Sequence, residues 1–529
     1  MNKFFTLLIL FSVLSCKKEP IKKDSVPKKE PIATPVIKLD GKGISFDSVL
    51  LNSFDSKIFK EFYKSVDYQT VWQSKKNRQL ILKQLSISEE EGLNPADYHL
   101  SKLQKYERKI ATLNKQEIID YDFLLTRNFQ RYIAHLNSGR LNPIELYEDW
   151  DLKENKIDIN NTIILAIKND SLAQKIEQTK PNHIVYQKLK EALKIINTFP
   201  KDKFTRIDTT NRFVPKDTNS LLIDIKKRLI YWRDLRSKDS LTTIYDRKTV
   251  EAVKKFQFRH GLVADGIIGK GTISALNFSK NQRKGQIIAN LERWKWFPKE
   301  MGNEYIIVNI PAYKLTVVEN NEIIRTHKVV VGSLKRKTPV LSSKLSSTVF
   351  NPTWTLPPTI IEEDIIPAIT KDKNYLVEKN IKVYDTNGDS VSTNNWQLEK
   401  AKNYRYVQSP GTFNSLGMVK ILFPNRFFVY LHDTNHRDLF AKSMRSLSSG
   451  CVRVQNPLAL TEYLLNDTVN WNIDKITETL KSQKTKQIRI KKEVFVHILY
   501  WTAWSEDSRL IFRNDIYNLD AELFNKLRS

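Results

Sequence analysis

The sequence predicts a multidomain α+β protein: a helical N-terminal region, a small unit of three helices, and a mostly β domain broken by one insertion. Three observations carry this. A length of 529 residues exceeds what one hydrophobic core usually supports. Apolar residues recur at three- and four-residue spacing over 45–199 and again over 220–277, the helical period, then alternate from about Glu304, the strand period. Hydrophobic residues at 40% and aromatics at 10% give a globular composition.

The chain opens with Lys3 and an apolar run from Phe4 to Phe11, too short to span a bilayer and shaped like a secretory signal over 1–15. Small Ser15 before Cys16 resembles the lipobox at which lipoprotein signals are cut and the cysteine acylated. Residues 16–44 are rich in Lys and Pro, with Pro20, Pro27, Pro31 and Pro35, and read as a tether. In extended polyproline geometry it would reach roughly 80 Å. Residues 45–200 form the helical region, punctuated at Gly92-Leu93-Asn94-Pro95 and Gly139-Arg140-Leu141-Asn142-Pro143. They show no nucleophile–base pair, so a scaffold role is expected. Residues 219–278 hold the small helical unit. The β domain spans 304–490, with strands at 305–310, 314–319, 323–331, 348–350, 418–423 and 427–431, and the insertion at about 355–409. Helices are expected at 457–466 and 473–483, and a hairpin extension through 494–504 and 510–513 fills 491–529.

The net charge of +27, from 86 Lys+Arg against 59 Asp+Glu, suits an anionic polymer or membrane surface. The lysines are spread along the whole chain, however. No arginine-rich helix, RNA-binding signature or zinc-finger spacing accompanies them, so the charge reads as a solvated surface and nucleic acid is not an expected partner. His99, His135, His183, His260, His327 and His497 lack metal-ligand spacing, and no metal or cofactor is expected.

Chemistry concentrates at the second of only two cysteines, Cys451, in Ser448-Ser449-Gly450-Cys451-Val452-Arg453. Acylation of Cys16 would leave Cys451 without a disulfide partner and free as a thiol. His432 ends an apolar strand upstream and is the expected base, taking the thiol proton and returning it to a leaving amine. Gly450 leaves room for a carbonyl oxygen, so the backbone N–H groups of Gly450 and Cys451 are the expected oxyanion hole. Arg453, two residues beyond Cys451 on the same strand face, would favour thiolate and hold a substrate carboxylate. Asp433 adjoins His432 and points its side chain to the opposite face, so no carboxylate triad is expected. His436 is a second, weaker candidate base.

Two resemblances extend this. The motif of Val253, Phe256, Gln257, Gly261, Leu262, Asp265, Gly266, Gly269 and Thr272 resembles the three-helix peptidoglycan-binding domain, and wall binding is what it implies. The histidine-then-cysteine motif resembles the L,D-transpeptidase (YkuD-type) catalytic domain. Its S-H-G-C-[IV]-R signature carries Ser449 in place of the second histidine here, as in the large, scaffold-containing subfamily. That subfamily also shows Tyr430-Leu431-His432-Asp433-Thr434 and Asn414-Ser415-Leu416-Gly417. The resemblance implies an orienting role for the Asp433 carbonyl, substrate contacts at Asn414, Ser415, Gly417 and Arg453, and a lid at 355–409. It further implies a periplasmic, membrane-anchored lipoprotein that crosslinks peptidoglycan. Cys451 would attack a donor tetrapeptide stem, release D-alanine and pass a thioester to an acceptor stem, forming a 3→3 crosslink. A cysteine peptidase or amidase, and a noncatalytic wall-anchoring lipoprotein, are the alternatives.

Overall fold

A computed structural model describes residues 43–236 and 241–529. The leader, Cys16 and the tether up to residue 42 lie outside the described residues. Among those described, no helix is long and apolar enough to cross a membrane.

The helical region holds a core of its own, built around Phe59, Tyr63, Leu125 and Phe129 on the helices Lys57–Ser65 and Lys115–Ser138. The longer helix begins with a capping box between Asn114 and Glu117, which satisfies N–H groups that a helix start leaves open. The last helix of this region departs from expectation. Ile184–Asn197 packs with the small helical unit and the β domain in one continuous apolar cluster running from Tyr147 to Leu527. The separate cores expected for the small helical unit and the β domain are therefore merged, and residues 147–152 and 186–199 of the helical region join them.

The reason is the helix Lys280–Trp296, whose side chains are buried from Gly285 to Trp296 on every face. Such a helix is surrounded by partners. The charges of its last turn are matched internally: Glu292 accepts from the Leu141 amide at 3.0 Å, and Lys295 donates to the Glu91 carbonyl at 2.8 Å. Arg293 pairs with Asp520 near the C-terminus. This helix binds the scaffold, the small unit and the β domain to one another.

The main sheet runs Trp150–Asp151, Val340–Lys344, Phe495–Leu499, Glu304–Asn309, Lys314–Glu319, Glu322–Gly332, Val452–Val454, Leu431–His432, Val419–Leu422, Ser347–Phe350 and Lys486–Arg489. Two expectations are corrected here. Phe495–Leu499 is an interior strand, parallel to Glu304–Asn309 and antiparallel to Val340–Lys344, so the hairpin begins only at Ala503. Val496, His497, Ile498 and Leu499 are all buried, as an interior strand covered on both faces requires. The strand expected at 427–431 shrinks to Leu431–His432 because Asn425 Oδ1 accepts from the Phe427 and Val429 amides, and Phe428 adopts φ +56°. That is turn geometry.

The insertion, Trp354 to Gln408, builds a separate four-stranded sheet with its own core around Ile369, Ala401 and Tyr406.

Candidate active site

The short strand Leu431–His432 lies between two neighbours. It pairs in parallel with Val452–Val454, placing His432 in register with Arg453, and antiparallel with Val419–Leu422, placing His432 opposite Lys420. Alternation along the strands then brings Tyr430, His432, Cys451, Arg453 and Lys420 toward one face. A cavity of about 340 Å³ opens over that face, lined by Tyr430, His432, Ser415, Cys451 and Arg453 from the sheet side. Trp354, Ile360, Ile365, Tyr375 and Gln408 of the insertion line its other side. The insertion is pinned there by Arg336, which donates to Ser449 Oγ at 2.9 Å and pairs with Asp364 at 2.7 Å and Glu363 at 2.5 Å.

The electrostatics differ from the expected thiolate. Burial pushes the Cys451 thiol up to about 11; Tyr430, Arg453 and Lys420 pull it down by less. The direction expected of Arg453 holds, and burial outweighs it. His432 is held down to about 3, first by burial and then by the Arg453 charge. The carbonyls of Asp433 and Leu416 lie close enough to raise its basicity, although Nδ1 makes no hydrogen bond of normal geometry. Both groups are thus neutral at neutral pH, with the proton on sulfur. Iodoacetamide alkylation of Cys451 in the free protein is accordingly expected to rise continuously with pH toward about 11. A rate already flat at pH 6 to 7 would mean a preformed thiolate–imidazolium pair.

The group close enough to the thiol to pull its pKa down is Tyr430, whereas His432 does not contribute to it. The Tyr430 ring stands edge-on to the His432 ring at 5.6 Å, and the Lys420 ammonium lies 5.3 Å from the Tyr430 ring centre. Sequence reasoning missed both residues. Tyr430 was legible as the residue two before His432; Lys420 depends on cross-strand register and left no local signal.

Other expected site residues divide. Arg453 lines the cavity with no carboxylate ion pair among the described residues, and its Nε has no hydrogen-bond partner. Ser415 and His436 also line it. Asn414 and Gly417 do not. The Asn414 amide is fully used in holding its turn, donating to the local Ser409 carbonyl and to the Pro352 carbonyl of a distant segment at 2.9 Å each and accepting from the Leu416 amide at 2.8 Å. Gly417, at φ +62°, presses against the Asp433 carboxylate, where a Cβ would collide. That carboxylate faces away from the cavity and accepts from the Met418 amide at 2.9 Å and Arg437 at 3.2 Å. Gly450, at φ +112°, donates its N–H to Ser448 Oγ at 3.2 Å, so this amide is already engaged. Its carbonyl accepts from Thr338 Oγ1 at 2.7 Å, which fixes the turn that presents Cys451.

Against this geometry, comparison with known families is decisive for the domain. Residues 303–477 match the L,D-transpeptidase catalytic domain family, YkuD. The chain carries an L,D-transpeptidase catalytic domain. Residues 57–193 match the scaffold domain, and 218–276 match a family described as "Putative peptidoglycan binding domain". In that last unit the matched residues are core and turn: Val253 and Phe256 are fully buried, and Gln257 accepts from the Gly266 amide at 2.9 Å. A Haemophilus influenzae protein named "Putative L,D-transpeptidase" is 34% identical over 282 residues, 52% of this chain. The match spans 57% of that relative's length, little more than half. Among solved structures, the L,D-transpeptidase from Stackebrandtia nassauensis is 14% identical over 56% of this chain and 97% of its own, with a TM-score of 0.20. One from Xylanimonas cellulosilytica is 14% identical over 55% of this chain and 100% of its own, at 0.18. Scores this low bear on neither the fold nor the chemistry of this transpeptidase domain.

Proposed function

We propose that this protein is a peptidoglycan L,D-transpeptidase working through a Cys451 thioester. The observation that carries the proposal is the shared cavity: a free thiol, an imidazole and an unpaired guanidinium open into one space inside the transpeptidase domain. In this reading Arg453 receives a carboxylate of the donor stem, since a guanidinium matches a carboxylate in two parallel hydrogen bonds. Because the thiol is neutral, its proton moves to His432 as the sulfur–carbon bond forms, and His432 then delivers it to the departing D-alanine amine. An amine of the acceptor stem attacks the thioester, gives up a proton to His432 and restores the thiol, leaving a 3→3 crosslink.

The oxyanion falls to the Cys451 N–H and to the Tyr430 hydroxyl, which burial keeps protonated beside the sulfur; the Gly450 N–H is engaged with Ser448. The Asp433 carbonyl supports the basicity of His432. The insertion limits water at the thioester, which favours an amine acceptor over hydrolysis. A lipid on Cys16 would hold the enzyme in the cell envelope, with the peptidoglycan-binding unit toward the wall.

Incubation with a diaminopimelate tetrapeptide stem tests this. The expected result is release of D-alanine and a mass increase of one acyl-tripeptide mapped to Cys451, discharged by added stem to a crosslinked dimer. An adduct on another residue, or trimmed peptides without dimer, would overturn it.

A further inference from the structure

A cavity of about 610 Å³ lies outside the catalytic site and just beyond the residues matched to the peptidoglycan-binding family, between the start of helix Lys280–Trp296 and the C-terminal segment. Its size is that of a small-ligand pocket. Arg283 lines it and is only 4% exposed. It donates to Gln286 Oε1 at 2.8 Å and to the Ala275 carbonyl at 3.4 Å, while its Nε has no partner. Among the described residues it has no carboxylate ion pair. Asp520, the acid whose charge reaches it, is committed to Arg293 and Thr502. Asp515 is likewise committed, to the Tyr500 hydroxyl and the Leu519 amide. Around this buried cation stand four exposed amides, Asn281, Asn514, Asn518 and Asn525, whose side chains make no hydrogen bond among the described residues. The Phe278 ring, 38% exposed, lies 3.9 Å from the guanidinium carbon.

This is a set of groups with one chemistry in common. Side-chain amides offer paired donors and acceptors to hydroxyl and acetamido groups, aromatic faces cover the apolar face of a sugar ring, and an uncompensated guanidinium takes a carboxylate. We propose that this cavity binds an amino-sugar strand bearing a carboxylate, the glycan of the wall, so that the chain grips the glycan at the seam of its domains. The proposal rests on the wall-directed reading of the chain but not on the chemistry of Cys451. The carboxylate has two possible sources, the lactyl group of a strand stripped of peptide and the peptide of an intact strand.

Titration of the full chain with soluble wall glycan, with and without its peptides, and with a chito-oligosaccharide of equal length tests it by calorimetry. Both wall glycans are expected to bind, the tighter one naming the source of the carboxylate, and the neutral oligosaccharide about tenfold or more weaker, the worth of one charge-assisted hydrogen bond. The double variant Asn281→Ala/Asn518→Ala, on exposed positions, is expected to weaken wall glycan by a similar factor. Arg283→Met, admitted only with an unchanged melting profile, is expected to erase the preference over the neutral oligosaccharide. Equal binding of wall glycan and chito-oligosaccharide, or wild-type affinity in the double variant, overturns the proposal. Acylation of Cys451 in the unaltered protein is read separately: glycan binding without acylation sinks the transpeptidase reading alone, and acylation without glycan binding sinks this one alone.

Discussion

Cys451→Ala is expected to abolish both the stem-peptide adduct and crosslink formation, leaving no residual turnover above background. No neighbouring group can stand in. The Tyr430 hydroxyl is held protonated by burial, and Ser449 Oγ receives Arg336 while Ser448 Oγ donates to the Cys451 carbonyl at 2.6 Å. The comparison that gives this loss its meaning is His432→Ala in the same assay. Removing a general base typically costs 10²–10⁴-fold, so the adduct should form about that much more slowly yet still on Cys451. Alanine at 451 with retained crosslinking, or no measurable slowing without His432, would require a different mechanism. The substitution removes a single sulfur atom that opens into the cavity, so the folded state should survive it and the loss should be chemical.

The placement of the candidate pair was legible because it depends on local rules. His432 at a strand end, Cys451 after a glycine, and Arg453 two residues on all follow from the two-residue period of a strand, and the structure brings them into one cavity. Asp433 was legible for the same reason, as a side chain on the wrong face. What stayed hidden is nonlocal. Lys420 meets His432 only because Val419–Leu422 is the neighbouring strand. Phe495–Leu499 becomes interior only because the chain returns to pair with Glu304–Asn309, a choice its own apolar run does not announce. Asn414 and Gly417 failed in another way. A motif marks positions that matter without saying for what, and here the amide closes a turn while the glycine makes room for a carboxylate. The ionisation of Cys451 was misread because the sequence displays the charge of Arg453 but not the burial that outweighs it.

The segment Glu292-Arg293-Trp294-Lys295-Trp296 of the central helix is buried throughout, and it yields the second large effect. Arg293 is fully buried, pairs with Asp520, and lies 5.2 Å from the centre of the Tyr500 ring. Arg293→Met is expected to destabilise the protein by about 3–5 kcal/mol, the usual result of leaving one member of a buried pair without its counter-charge. Because Asp520 joins the C-terminal helix to the central one, the loss should appear as melting of the scaffold and β domain together. The sign with pH follows from Asp520. Burial raises its carboxyl from the ordinary value of 3.8 to about 6 even with Arg293 present, and removing the cation raises it further. An ionised Asp520 is then what the folded variant cannot accommodate. The deficit should be full at pH 8 and shrink as pH falls through the raised value, since the carboxyl protonates in the folded state. Adding Asp520→Asn removes the charge while an amide oxygen remains to accept from Thr502, and should recover much of the deficit at pH 8. Denaturant melts of the two variants at pH 8 and pH 5 measure both effects. If single and double variants melt alike at pH 8, the helix owes its position to apolar packing and the ion pair contributes nothing to joining the domains.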